Sequence, residues 1–218
     1  GESEAPADLE AYDWRTLGDD VLAVADAFGL VRFAAVGHSA GGALVIQAEL
    51  TRPGTVGAAV LVEPILYPPD VTGDSPGIAL AERRRAVFDG TEAMIERWSN
   101  RGPFAARHPD ALRCYVEYGV RDLPDGRVAL KCDPRTEAMT YRGDVRSGIW
   151  DRLPDYLTPT LILTGRHDGF RRSEWAEKQA AAMVNGRAER DPSVGHFMPL
   201  ERPEAIAERA VRFLVEGR

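Results

Sequence analysis

The pentapeptide GHSAG at residues 37–41 places Ser39 between glycines where an apolar segment gives way to a helical pattern. A G-x-S-x-G pattern between a strand and a helix is typical of a nucleophile elbow, a turn so tight that its serine adopts a strained backbone conformation. Crowding two positions on either side of the serine explains Gly37 and Gly41. The turn exposes the Ser39 hydroxyl and directs the amide of Ala40 towards the same point, as one donor for an oxyanion. The pattern therefore predicts a serine nucleophile.

A serine hydroxyl needs a base within hydrogen-bond reach, and that base needs an acid to orient it. The chain has four histidines. His38 lies inside the elbow, where its side chain should point away from the serine. The surroundings of His108 indicate a cap or surface position, and those of His167 a structural one. His196 lies on a glycine-preceded loop between the last predicted strand and the last helix, from which it could return to the serine, so it is the predicted base.

Two carboxylates are candidates for the acid. Asp168 follows a predicted strand in LILTGRHDGF, and Glu63 ends another in VLVEP. Both lie at carboxyl ends of strands, and either could reach a histidine. The chain order Ser39, Asp168, His196 follows a known triad arrangement, which favours Asp168 as the acid. Glu63 remains the alternative, and otherwise should line the pocket.

Short apolar segments that predict strands alternate with segments of helical periodicity. The predicted strands are 31–36, 58–63, 159–165 and 186–191, and the predicted helices are 16–28, 40–51, 174–184 and 203–215. This alternation predicts an α/β fold with a parallel sheet and helices on both faces. Chemistry in such sheets gathers at the carboxyl ends of the strands, which is where Ser39, Glu63 and Asp168 lie.

The interval between the second and third predicted strands, residues 64–157, is too long for a simple crossover. Its proline-rich start is followed by several helical patterns, so it is predicted to form a helical cap above the strand ends. Residues 1–63 and 158–218 then form the core. The candidate substrate-binding residues, most of them in the cap, are His38, Glu63, Phe104, Tyr115, Tyr118 and Trp150.

Three segments, VGHSAGG, LILTGRHDG and GHFMPLERPEAIAERAVRFL, together resemble the α/β-hydrolase superfamily, and specifically its members with a cap. The resemblance covers the whole chain except the cap. It implies that Ser39 is the nucleophile, Asp168 the acid and His196 the base. Epoxide hydrolases and haloalkane dehalogenases of similar appearance have an aspartate at the nucleophile position. A serine in that place implies acyl transfer to water through an acyl-enzyme.

The chain departs from this superfamily at its start. Members begin with several strands before the elbow, and a loop after an early strand supplies another oxyanion donor. Here GESEAP corresponds to a loop after those strands. The sequence therefore predicts an N-terminally truncated sheet in which strand 31–36 is an open edge, and it predicts self-association through that edge.

Composition narrows the functional classes. The net charge is −7 and no basic face stands out, which argues against a nucleic-acid partner. No apolar run approaches the roughly 18 residues that span a bilayer. The acidic, polar start does not resemble a signal peptide, and the two cysteines do not form a CxxC pair, so a cytoplasmic location without membrane association is predicted. No metal-ligand spacing, phosphate-binding loop or dinucleotide fingerprint is present, so no metal and no cofactor are predicted.

These observations predict a serine hydrolase that cleaves a small-molecule ester or related acyl substrate. Two alternatives stay open. One is C–C bond hydrolysis or a perhydrolase-like activity on the same fold. The other is an inactive or incomplete domain that binds a ligand without turning it over.

Overall fold

The computed structural model describes residues 1–71, 73–100, 106–143, 148–166 and 174–217. The strands are β1 (Phe33–His38), β2 (Val56–Val62), β3 (Val87–Phe88), β4 (Val120–Asp122), β5 (Val128–Leu130), β6 (Thr160–Thr164) and β7 (Gly186–Arg190). The helices are α1 (Trp14–Ala27), α2 (Ala40–Thr51), α3 (Pro76–Glu82), α4 (Thr91–Ser99), α5 (Pro109–Gly119), α6 (Pro134–Arg142), α7 (Glu174–Ala182), α8 (Met198–Glu201) and α9 (Pro203–Glu216). Among the described residues, Leu9–Tyr12 and Trp150–Asp155 form 3₁₀ helices.

The main sheet has the strand order β1-β2-β6-β7, and every neighbouring pair is parallel. Alternate side chains of β2 enter opposite hydrophobic layers. Ala59 and Leu61 pack with residues of α1, α2 and α7, whereas Val60 and Val62 pack with residues of α8 and α9. Burial on both faces explains why β2 and β6 are nearly continuous apolar runs. The predicted α/β fold with a parallel sheet and helices on both faces is confirmed.

Helix α1 begins two residues before its predicted start. The side chain of Asp13 accepts a hydrogen bond from the backbone N–H of Arg15 and so caps the helix. Trp14 follows and is 1% exposed, with its indole N–H donating to the carbonyl of Thr140 at 2.8 Å. This bond joins the first helix to the long connection between β2 and β6.

The connection between β2 and β6 contains helices α3 to α6 and a small antiparallel sheet with the order β3-β5-β4. This small sheet was not predicted, because strands of two or three residues are too short to show an alternating pattern. Together with α4 and α5 it encloses a separate hydrophobic cluster, formed by Phe88, Met94, Leu112, Val116, Val120 and Val128. The connection therefore has a hydrophobic cluster of its own, separate from those that contain the strands of the main sheet.

Within the described ranges, β1 is the terminal strand of the main sheet and pairs with β2. Val36 on this strand is 57% exposed. The predicted self-association through this edge stays a prediction. None of the described helices combines the length and hydropathy that crossing a membrane requires.

Candidate active site

Ser39 lies between the end of β1 and the start of α2, with φ 58° and ψ −124°. A positive φ is unfavourable for a residue with a side chain, and it persists only where the surroundings fix it. Three backbone hydrogen bonds do so. The Ser39 N–H donates to Val62 O at 2.9 Å, and the Ser39 carbonyl accepts from Gly42 N at 3.0 Å and Ile65 N at 3.2 Å. The end of β2 and the first turn of α2 therefore hold the elbow in shape.

Close approaches at the elbow explain two of its glycines. A Cβ at Gly37 would lie 2.6 Å from the carbonyl oxygen of Gly41, and a Cβ at Gly42 would lie 2.8 Å from the Cβ of Pro64. A Cβ at Gly41 would meet no heavy atom of the described residues within 4 Å. Of the two positions predicted to be crowded, Gly37 is crowded and Gly41 is not, and a further close approach lies at Gly42.

The predicted nucleophile and base lie together. The Nε2 atom of His196 is 3.1 Å from the Oγ atom of Ser39. His196 lies on the loop between β7 and α8, at the carboxyl end of the sheet. Ala40 is the first residue of α2, so its N–H belongs to the first turn, whose amides have no acceptor within the helix. The positive end of the helix dipole thus lies beside the serine oxygen.

Two further side chains support the loop that carries His196. Both carboxylate oxygens of Glu201 accept from the N–H of Gly195, at 3.1 and 3.0 Å. The Nε2–H of His38 donates to the backbone carbonyl of His196 at 2.8 Å, and the centroids of the two rings are 5.0 Å apart. His38, a candidate substrate-binding residue on sequence grounds, therefore contacts the loop that carries the predicted base.

Glu63 lies beside the second ring nitrogen of His196, the one that does not face Ser39. It follows β2 with φ 49°, and it is 6% exposed. Its Oε1 atom accepts from the Gly165 N–H at 2.5 Å and from the Thr164 hydroxyl at 2.9 Å, while its Oε2 atom is 3.5 Å from Nδ1 of His196. Asp168, the acid favoured by chain order, lies outside the described residues. Glu63 is thus a carboxylate that the described geometry brings to the base.

The family model of the alpha/beta hydrolase family matches residues 1–209. The chain belongs to this family. Its curated relatives include carboxylesterase YbfK of Bacillus subtilis (strain 168), which is 28% identical over 199 residues. That match covers 89% of this chain and 61% of the relative, so the chain spans less than two thirds of the carboxylesterase.

Solved structures show the same fold. The peroxisomal alpha-beta-hydrolase Lpx1 from Saccharomyces cerevisiae has a TM-score of 0.78 at 16% identity, over 94% of this chain and 61% of that one. E-2-(acetamidomethylene)succinate hydrolase also has a TM-score of 0.78, at 20% identity, over 96% of this chain and 76% of that one. The curated relatives of this alpha/beta hydrolase therefore include a carboxylesterase, and the solved structures show that it shares their fold.

Arg107, in the connection between β2 and β6, lies close to His196, the predicted base. Arg107 is 6% exposed, and its guanidinium carbon lies 4.1 Å from the ring centroid of Phe197 and 5.8 Å from that of Tyr115. The Phe197 ring is in turn 5.0 Å from the ring of His196. Burial lowers the pKa of Arg107 to about 10, although the charges of Tyr115 and Glu201 act in the opposite direction.

The other predicted substrate-binding residues are distributed differently. Tyr115 lies on α5 beside Arg107, and Tyr118, on the same helix, is 74% exposed. Trp150 packs against the hydrophobic layer that contains α1 and α2. Phe104 lies outside the described residues. Among these aromatic residues, Tyr115 is therefore the one that the described geometry connects to the base, through Arg107 and Phe197.

Sequence reasoning missed Arg107, Phe197 and Glu201. Phe197 could have been found, because it directly follows the predicted base. Glu201 lies one helical turn after Phe197, so its position in the motif GHFMPLE could have indicated that it supports the loop of His196. Arg107 had no such signal, since an arginine before a His-Pro helix start is common on surfaces. In the part of the chain that the structure describes, no group of three or more His, Cys, Asp or Glu side chains is arranged to hold a metal ion.

Proposed function

We propose that this alpha/beta hydrolase is a serine hydrolase that cleaves an ester or a related acyl compound through an acyl-enzyme. One observation carries the proposal: the Oγ atom of Ser39, on a strained turn at a helix start, lies 3.1 Å from Nε2 of His196. A hydroxyl and an imidazole at this distance form the nucleophile and base pair of acyl transfer. The carboxylesterase and hydrolases among its relatives support the same reaction class.

In the acylation step, Nε2 of His196 accepts the hydroxyl proton while Oγ of Ser39 forms a bond to the substrate carbonyl carbon. The carbonyl oxygen gains negative charge, which the Ala40 amide and the positive end of α2 stabilise. The imidazolium then gives its proton to the leaving group as the bond to that group breaks. The acyl group remains on Ser39 as an ester.

Deacylation repeats these steps with water. His196 removes a proton from the attacking water, and its oxygen bonds to the acyl carbon. The proton then returns to Oγ of Ser39 as the acyl–serine bond breaks, which releases the carboxylic acid product.

We propose that Glu63 orients the base in both steps. If Nδ1 of His196 carries its proton, it can donate towards Oε2 of Glu63, which leaves Nε2 as the acceptor that faces Ser39. The bonds from Thr164 and Gly165 fix the other oxygen of the carboxylate. Asp168 remains the acid predicted from chain order, and the two assignments make different predictions for mutants.

Labelling with a fluorophosphonate probe, followed by hydrolysis of para-nitrophenyl acetate, tests the proposal. The probe should label the wild type at Ser39, and Ser39→Ala should lose labelling and lower turnover by on the order of 10⁶-fold. Ser99→Ala is the matched control, since this exposed serine donates to Ile95 O on α4. Labelling that persists in Ser39→Ala, or wild-type protein that neither reacts with the probe nor hydrolyses the ester, would contradict the proposal.

A further inference from the structure

The contacts of Arg107 place a buried positive charge beside the catalytic base. His108, the next residue, donates its N–H to the carbonyl of Leu200 at 2.8 Å, which fixes the start of α5 against α8. Helix α8 begins two residues after His196. The position of Arg107 is therefore fixed relative to the base by the backbone as well as by its side-chain contacts.

The guanidinium lies over two aromatic rings. Its central carbon is 4.1 Å from the ring centroid of Phe197 and 5.8 Å from that of Tyr115. A cation in this position is attracted by the negative face of an aromatic ring. The five N–H donors lie in the plane of the guanidinium, in a fork that matches the two oxygens of a carboxylate.

The charge on this group persists at neutral pH. The pKa of Arg107 is about 10, lowered by burial and partly restored by Tyr115 and Glu201. Glu201 acts on it through charge, while both Glu201 oxygens accept from the N–H of Gly195. A buried cation therefore lies two ring contacts away from His196, by way of Phe197.

We propose that Arg107 binds a carboxylate of the substrate, so that the preferred substrates are esters or related acyl compounds that carry a second, anionic group. This inference rests on the hydrolase function proposed above. Arg107 is linked to Ser39 by its contact with Phe197, by the contact of Phe197 with His196 and by the 3.1 Å between His196 and Ser39, so we place the carboxylate a few bonds from the scissile carbonyl. Arg107 acts in recognition and takes no part in the proton transfers.

Matched pairs of esters test this preference. For the acyl side, mono-para-nitrophenyl glutarate is compared with para-nitrophenyl pentanoate. For the leaving-group side, para-acetoxybenzoate is compared with para-acetoxybenzamide. The readout is the ratio of kcat/KM for the anionic ester to kcat/KM for its neutral partner. The pair that responds to substitution of Arg107 shows which side of the substrate carries the carboxylate.

Arg107→Met should lower this ratio by about 10- to 100-fold in one of the pairs, the usual range for loss of a charged hydrogen bond. Arg107→Lys should lower it less, because it keeps the charge but loses the fork. Arg113→Met is the matched control: Arg113 is an exposed arginine of α5 paired with Glu92, and its loss removes one positive charge outside the site. A ratio that Arg107→Met and Arg107→Lys leave unchanged in both pairs overturns the inference.

A binding measurement separates this inference from the proposed function. Calorimetric titration of glutarate into the Ser39→Ala variant needs no turnover. Double variants that combine Ser39→Ala with Arg107→Met or Arg107→Lys should bind glutarate about tenfold or more weakly than Ser39→Ala alone. Circular dichroism checks that each variant is folded, and Arg107→Lys carries the test if Arg107→Met does not fold. Glutarate that fails to bind Ser39→Ala, or that binds equally without Arg107, overturns the inference even if the fluorophosphonate probe labels Ser39.

Discussion

Glu63→Gln removes one negative charge beside the base and places an amide N–H donor where Oε2 faced Nδ1 of His196. The amide keeps the length of the side chain and an oxygen that can accept from Thr164 and Gly165. In the wild type, Oε2 of Glu63 lies 3.5 Å from Nδ1 of His196, a distance at which opposite unit charges attract by about 5 kcal/mol at an effective dielectric constant of about 20. That attraction acts in the transition state, where the imidazole is protonated. Its loss should lower kcat/KM by on the order of 10³-fold.

The assay measures kcat/KM for para-nitrophenyl acetate from about pH 5 to pH 9, which covers the range where histidine ordinarily titrates. The rate should rise with pH as the base loses its proton. A neighbouring carboxylate favours the protonated imidazole, so Glu63→Gln should also move this rise to lower pH. Glu49→Gln is the matched control, because Glu49 is also buried and its carboxylate accepts from Gly54 N and Val56 N, both at 2.7 Å.

The companion variant Asp168→Asn decides between the two carboxylates. If chain order identifies the acid correctly, Asp168→Asn should lose about 10⁴-fold in turnover while Glu63→Gln loses little. A Glu63→Gln enzyme within about tenfold of the wild type, with its pH profile unmoved, would refute the assignment made from the 3.5 Å contact. Thermal unfolding of each variant shows whether a loss of rate reflects a loss of folded protein.

Two further substitutions test how the site is supported. Gly37→Ala should destabilise the protein by about 1–3 kcal/mol in urea unfolding, because its Cβ would lie 2.6 Å from Gly41 O, whereas Gly41→Ala should cost nothing measurable. His38→Ala should lower kcat by about tenfold with KM unchanged, because the loop loses the hydrogen bond at the His196 carbonyl, and His38→Gln should restore part of the rate. A rise in KM alone would instead make His38 a substrate contact, as the sequence suggested.

The parts of the site that could be predicted follow from two regularities of the chain. Apolar runs in β2 and β6 indicate strands that are buried on both faces, and parallel strands present their carboxyl ends at one edge of the sheet. Ser39 and His196 each follow a predicted strand, so their meeting at 3.1 Å follows from topology. Strand ends can be located from local patterns even though the strands that pair are far apart in the chain.

What could not be predicted depends on distances between elements. Chain order ranks Asp168 above Glu63, but it does not measure which oxygen reaches the base. The small antiparallel sheet β3-β5-β4 forms through contacts outside its own short strands. The placement of Arg107 over Phe197 requires the packing of α5 against α8, which no periodicity encodes. Each of these features is set by tertiary packing between segments whose own sequences carry no pattern that indicates it.

Backbone strain at the carboxyl end of the sheet occurs directly after two neighbouring strands. In the described part of the chain, Ser39 and Glu63 are the non-glycine residues with positive φ. Each follows a parallel strand directly, and each donates its N–H to the next strand: Ser39 to Val62 O at 2.9 Å, and Glu63 to Leu163 O at 2.8 Å. The last hydrogen bond of each strand pair therefore holds the strained residue, and the unfavourable turn directs its side chain to the shared edge. We infer that the sheet itself preorganises Ser39 and Glu63 before any substrate binds.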